Sequence, residues 1–432
     1  MNMRNILMFA VMAGLLLAVG AMQSWSVAMG LLNMCLISAI MALGVNIQWG
    51  YAGLFSVGTM GFVALGGLAV VLTSMPPVHD AWAAGGARVI VALLVGAGTI
   101  VAAFFAFRRM SKGLARAGVM AAILIGGFFA YRALFDPAVD AIESTNTAAA
   151  GYLGGLGLPV LLSWAVGGAL AAAVAWVIGK VSLGLRSDYL AIATLGIAET
   201  IIAVLKNEDW LSRGVRNVNG LPRPVPYEVD LQASATFLSW TDRLGFDPVE
   251  ASSLFVKGSY ALLFIVVLGL VIWLSESAWN SPWGRMMRAI RDNETAAKAM
   301  GKDVTARHLQ VFILGAAVCG LAGAMMTTLD GLMTPGAYQP LRFTFLIWVM
   351  VIVGGSGNNW GSVLGGFLIW FLWVEVEPIG LWVMNGITAF MPEGSALREH
   401  LLDSAAHMRL ITMGVILLLV LRFAPRGLIP EK

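Results

Sequence analysis

Apolar residues recur along this chain in long runs that polar positions do not interrupt at the period of a half-buried helix. The runs cover 1–22, 31–47, 89–107, 118–134, 158–179, 189–204, 261–274, 309–329, 343–353, 363–376 and 410–423, with one more through the glycine-dense stretch that ends at Gly66-Gly67. About twenty apolar residues cross the hydrocarbon of a bilayer as a helix, and only helices or closed barrels satisfy their backbone there. The pattern therefore predicts an all-α polytopic membrane protein with about twelve transmembrane helices, some of them broken at glycine. The even number puts both termini on one side. The first run carries Arg4 and then Ala18-Val19-Gly20, and it is read as an uncleaved span because another apolar run follows almost at once.

Two runs are interrupted in a similar way. Gly50-Tyr51-Ala52-Gly53 leads through Ser56, Gly58 and Thr59 to Gly61, and Gly354-Gly355-Ser356-Gly357 leads to Gly361 and Gly365. Glycine at this density either lets helices approach closely or breaks a helix at membrane depth, and paired breaks in two halves of a chain point toward a transport site. Ala316, Gly320 and Ala324 form a small-residue stripe at spacing four. Polar side chains within spans turn toward a bundle interior or a wet cavity. Asn46, Tyr51, Gly53, Ser56, Thr59, Thr194, Gly355 and Gly357 are accordingly candidates for lining a pathway. Glu199, the sole acid between Tyr189 and Val204, is a further candidate; its alternatives are a headgroup contact or a pair with Lys206.

Composition sharpens the class. Hydrophobic residues make up 59% and charged residues 12% of the 432, against about 25% charged in soluble domains. A net charge of +3 gives no reason to expect nucleic acid. The distribution of charge says more than its sum. The loops 108–116, 180–186 and 285–307 are basic, whereas 136–143, 206–257 and 393–403 lean acidic, which places the first set and both termini in the cytoplasm. Segment 88–150 reads as an inserted helical hairpin with its loop, 206–257 as an outer loop stiffened by Pro222, Pro224 and Pro226, and 377–409 as an outer half-helix and loop, all within one domain, 1–432. Cys35 and Cys319 lie in apolar stretches and read as buried thiols. No phosphate-binding G-x-x-x-x-G-K-[ST] loop and no H-E-x-x-H helix occurs, so neither a nucleotide site, a metal nor any cofactor is expected.

One basic stretch is too polar for a span. Ser281 is suited to an N-cap and Pro282 to the first helical position, and Gly301 offers a stop. Met286, Ile290, Asn293, Ala297 and Met300 fall on one face of a single expected helix over 281–302. Arg288, Arg291, Lys298 and Lys302 fall on another. Such a helix lies on lipid or docks into a partner.

The segment Glu294-Thr295-Ala296-Ala297 followed by Gly301 resembles the E-x-A-A-x-x-x-G cytoplasmic loop of ABC-importer permeases. Ser281 to Asn293 resembles that loop in the LivM-like branched-chain amino acid permeases. Gly50, Ala52, Gly53, Ser56, Gly58 and Phe62 match that family's G-x-A-G-x-x-S-x-G-x-x-x-F segment, and the Tyr189–Glu199, Asn219–Pro222 and Gly354–Gly361 stretches match others. The tail Arg422–Leu428 resembles the family's R-P-x-G-L ending with an extra residue. The resemblance implies a permease subunit of the bacterial inner membrane, itself no enzyme. Its implied partners are two ATP-binding cassette ATPases, a second permease subunit in a heterodimer, a periplasmic solute-binding protein and the lipid bilayer. It implies that Arg288, Arg291, Glu294, Ala296, Ala297 and Gly301 couple to the ATPase. Branched-chain or other small amino acids are the implied solutes, with urea or short amides the alternative in the same family. An ion-coupled secondary transporter built around Glu199 is the alternative from another class.

Overall fold

A computed structural model describes residues 3–145, 151–392 and 395–431. Parts of the expected 88–150 and 377–409 segments, residues 146–150 and 393–394, fall outside them. Helix α1 (Met3–Met22) turns directly into α2 (Trp25–Ala52), whose first turn is capped by the Ser24 hydroxyl accepting from Val27 N–H. From Leu36 to Gln48 every residue of α2 is buried, so it runs through the middle of the molecule. It ends on Gly53 in the left-handed region (φ 70°), a conformation that costs glycine nothing. Residues 53–58 are not helical, and α3 (Thr59–Ser74) follows.

Helices α4 (Ala87–Arg109) and α5 (Leu114–Glu143) follow as a pair. They pack mainly on each other and expose Leu94, Ile100, Phe104 and Phe129, as lipid-facing helices do. A small cluster including Val89, Ile142 and Trp210 ties them to the rest. Next come α6 (Val160–Ser182), α7 (Ser187–Asn207) and, after a loop with short helical turns, α8 (Pro248–Asn280). That last helix starts well before the apolar run at 261, because Asp247 caps it by accepting from Val249 and Glu250 N–H and Pro248 occupies its first turn.

The short helices α9 (Pro282–Asp292) and α10 (Glu294–Ala299) connect α8 to α11 (Val304–Asp330). The chain closes with α12 (Pro340–Gly354), α13 (Asn359–Thr388) and α14 (Met408–Phe423). The two-residue strands β1 (Val218–Asn219) and β2 (Leu332–Met333) pair antiparallel and clip the long loop to the α11–α12 connection. Among the described residues nine helices are long and apolar enough to span a bilayer, ten if the bent pair Ala396–Asp403 and Met408–Phe423 counts as one. The two remaining apolar runs form the shorter helices α3 and α12, of 16 and 15 residues. One expectation changes: Pro378 does not end a span, and α13 continues through it to Thr388. A proline removes one ladder hydrogen bond, which bends but need not stop a helix with apolar flanks on both sides.

Lipid is as apolar as leucine, so these helices associate by close packing rather than by a hydrophobic drive. Glycine makes the approach possible. A methyl group on Gly44 would lie 2.9 Å from the Gly315 carbonyl, and one on Gly366 2.6 Å from the Cα of Ala39. Where α3 crosses α11, Gly66 faces the carbonyl of Gly320 and Gly323 faces that of Val63, with Ala324 of the expected stripe completing the contact to Gly167 of α6.

Gly66→Val should force α3 off α11 at a cost of about 1–3 kcal/mol. A thermal melt of the solubilised protein should show a clear drop in midpoint, whereas Gly98→Val, with nothing within 4 Å of the added carbon, should melt like the parent.

Candidate functional site

Most of the singled-out residues meet at one end of the bundle. The expected helix over 281–302 is two helices meeting at an angle. Ser281 caps α9 by accepting from Gly284 N–H at 3.3 Å. At Asn293 the backbone is extended (φ −155°, ψ 94°), and its side-chain oxygen accepts from Ala296 N–H at 2.9 Å, starting α10. Asparagine competes for backbone donors in this way and so ends one helix while capping the next. Met287, Ile290 and Ala297 are buried, Met286 is half-buried, and Asn293 and Met300 are exposed, so the continuous face drawn from the sequence breaks at the bend. Gly301 stops α10 with φ 77° and open space around it; a side chain there would strain the backbone rather than clash. Glu294 and Lys298 pair on the exposed surface at 2.6 Å, and that hydrogen bond holds the Glu294 carboxyl below its usual range. Ala296 is exposed beside them.

Arg291 points the other way, into the bundle. Its guanidinium donates to the Gly50 carbonyl at 2.6 Å and to Glu431 at 3.1 Å, and its stem lies 3.5 Å from where a Gly53 side chain would begin. The Gly50 carbonyl is one of those left over at the end of α2. Arg288 stacks its cation 4.5 Å above the Trp279 ring. The residues nearest this end form a chain of obligatory donors and acceptors. Gly357 N–H donates to Asn46 Oδ1 at 2.8 Å, which leaves the Asn46 amide nitrogen to donate to Asn359 Oδ1 at 3.1 Å. Asn359 then donates to the Glu276 carboxylate at 3.1 Å. The Tyr51 hydroxyl lies 2.8 Å from Asn359 Oδ1 and 3.1 Å from the Ser275 carbonyl, its one proton serving one of them at a time. Asn46, Tyr51 and Asn359 are each 2% exposed or less. A cavity of about 420 Å³ opens beside this network, bordered by Glu276, Arg288, Asn359 and Glu431.

The second glycine break sits against the tail. Leu428 N–H donates to Val353 O and Ile429 N–H to Gly354 O, both at 2.9 Å, and the Asn358 amide donates to Pro430 O at 3.1 Å. Gly355 (φ 118°) and Gly357 (φ 81°) hold the left-handed turns this requires. Further along the first break, Val57 N–H donates to the Thr194 hydroxyl at 3.0 Å, and Trp348 donates to the Ser56 carbonyl at 3.1 Å. The hydroxyls of Ser56 and Thr59 are buried without a partner among the described residues. Glu199, a turn beyond Thr194, lies on an exposed face of α7 and joins neither group. Reading the sequence missed Glu276, Asn359 and Glu431. Asn359 carried a signal, being a polar residue at the foot of a glycine break; the two acids carried none.

Residues 113–421 match the family described as the permease component of branched-chain amino acid transport systems. A probable branched-chain amino acid transport permease protein LivM from Methanocaldococcus jannaschii is 26% identical over 274 residues, 61% of this chain and 67% of that one. The high-affinity branched-chain amino acid transport system permease protein LivM of Salmonella typhimurium is 27% identical over 205 residues, 47% of each chain. A fructose import permease protein, FrcC of Rhizobium meliloti, is 27% identical over 131 residues, 29% of this chain and 34% of the relative. The chain thus spans about two thirds of the first of these and half or less of the others. No solved structure matches it.

The Arg291–Glu431 pair is a partly buried bridge between α9 and the tail, its side chains 23% and 27% exposed. In a double-mutant cycle of Arg291→Ala and Glu431→Ala, the two losses of stability should fall short of additivity by about 0.5–3 kcal/mol. Simple additivity would mean that the two groups are adjacent without acting on each other.

Proposed function

The chain belongs to the family of branched-chain amino acid transport system permease components, and from that premise we propose that it is the membrane permease subunit of an ABC importer. The solutes are branched-chain or other small amino acids, handed over by a periplasmic binding protein. Two ATPase subunits drive the cycle, and a second permease subunit completes the pathway. The protein resides in the bacterial inner membrane with both termini and α9–α10 in the cytoplasm.

The observation that carries this reading is the build of the α9–α10 elbow. Its outer surface offers Glu294, Ala296 and Lys298 to a partner, while Arg291 on its inner side holds the end of α2 and the tail. A push on the elbow is thereby passed to both glycine breaks, since Gly50 and Gly357 share Asn46 as neighbour. Ala297 sits buried in the elbow and Arg288 stacks at its base. Tyr51, Gly53, Ser56, Thr59, Thr194 and Gly355 border the segments that move. A mechanical role of this kind fits a subunit whose energy comes from another chain, for this one has no nucleotide loop.

Glu294→Arg should release the ATPase on co-purification, and Gly301→Val should retain it yet lower ATP-driven uptake at least tenfold. Normal uptake in both variants would remove the coupling role of the elbow. Arg108→Cys should react with an impermeant thiol reagent only from the cytoplasmic face; reaction from outside would invert the topology.

A further inference from the structure

A second cavity lies away from the elbow, inside the ring of α2, α3, α11, α12 and α13. It holds about 200 Å³, small beside the roughly 300–1,000 Å³ of ordinary ligand pockets. Five methionines line it: Met34 and Met41 of α2, Met60 of α3, Met326 of α11 and Met350 of α12. The polar groups of the wall are few. Asp330 stands exposed at the end of α11, next to β2, and makes no ion pair among the described residues. Arg223, which passes close to Gly331, is already engaged by Glu228 at 3.1 Å. Trp370 forms part of the wall, and its indole N–H is buried with no acceptor among the described residues.

We propose that this cavity is a solute subsite for an aliphatic α-amino acid, with the side chain among the methionines and the ammonium group against Asp330. This rests on the permease reading given above. Each part of the wall selects. Unbranched thioether side chains adapt to several aliphatic shapes, so leucine, isoleucine and valine fit without a rigid mould. A free carboxylate at the mouth of an apolar chamber attracts a cation and repels a bare anion. A sugar of similar size would leave most of its hydroxyls without partners here, at a cost for each. A lipid chain would suit the methionines but gains nothing from Asp330, and it is the competing occupant that a test must exclude.

The test uses an Ala337→Cys variant of the full chain, assembled with its ATPases and binding protein in proteoliposomes. Ala337 is exposed and lines the cavity, whereas Cys35 and Cys319 are buried, so a water-soluble maleimide reads the added thiol. L-leucine and 3-methylbutylamine should both slow the labelling, and 4-methylpentanoate, which lacks the amine, should not. Asp330→Asn should raise the protecting concentration of both amines at least tenfold, and Met41→Trp should abolish protection while the melting midpoint stays within a few degrees. Protection by 4-methylpentanoate equal to that by leucine, indifference to Asp330→Asn, or failure of the maleimide to reach Ala337→Cys would each overturn the proposal. So would protection by added phospholipid with none by leucine. ATP-driven leucine uptake by vesicles in which leucine gives no protection would sink the subsite alone and leave the permease reading standing. Absence of leucine uptake with every partner present would sink the reading itself.

Discussion

A helix that ends inside a membrane protein leaves carbonyl groups that water cannot reach, and the rest of this structure depends on how one of them is satisfied. The Gly50 carbonyl at the foot of α2 takes its hydrogen bond from Arg291. The same guanidinium reaches Glu431, and the tail that carries Glu431 supplies the partners of Val353 and Gly354 where α12 stops. One cation thus links three chain segments that are remote in sequence. The planar fork of arginine suits this; a lysine would reach one acceptor and give up the second.

Glycine serves two purposes here. At Gly44, Gly66, Gly320 and Gly366 it is the missing methyl that matters, because a neighbouring backbone occupies that space. At Gly53, Gly355 and Gly357 it is the left-handed backbone that matters, because the chain must turn without adding helical turns. The first kind lets the helices at the centre of the bundle approach closely. The second kind lies where polar groups converge, and it leaves those groups held by side-chain hydrogen bonds instead of a continuous helical ladder.

Hydropathy alone carried much of the architecture, since length and apolarity decide which segments can span a bilayer. The glycine breaks were legible for the same reason, and so was the elbow as a polar interruption. Its bend was not, because Asn293 fits a helical spacing as well as it fits a cap; the choice between them is made by the Ala296 N–H, which donates to the Asn293 side chain. The polar network was half visible. Asn46 and Tyr51 stand out as polar groups in an apolar run, but their shared partner Asn359 is about 310 positions away, and only the fold brings it to them. Asp330 reads in the sequence as an ordinary acid at a helix end. It gains meaning from the methionines of three other helices.

The clip between β1 and β2 has an effect out of proportion to its two residues. Val218 and Asn219 pair with Met333 and Leu332, and Leu221 N–H donates to the Gly331 carbonyl at 3.1 Å, one residue beyond Asp330. The long loop is therefore fastened to the rim of the methionine chamber. Fastened parts share their displacements: a tug on the loop would bear on the rim as on the short arm of a lever.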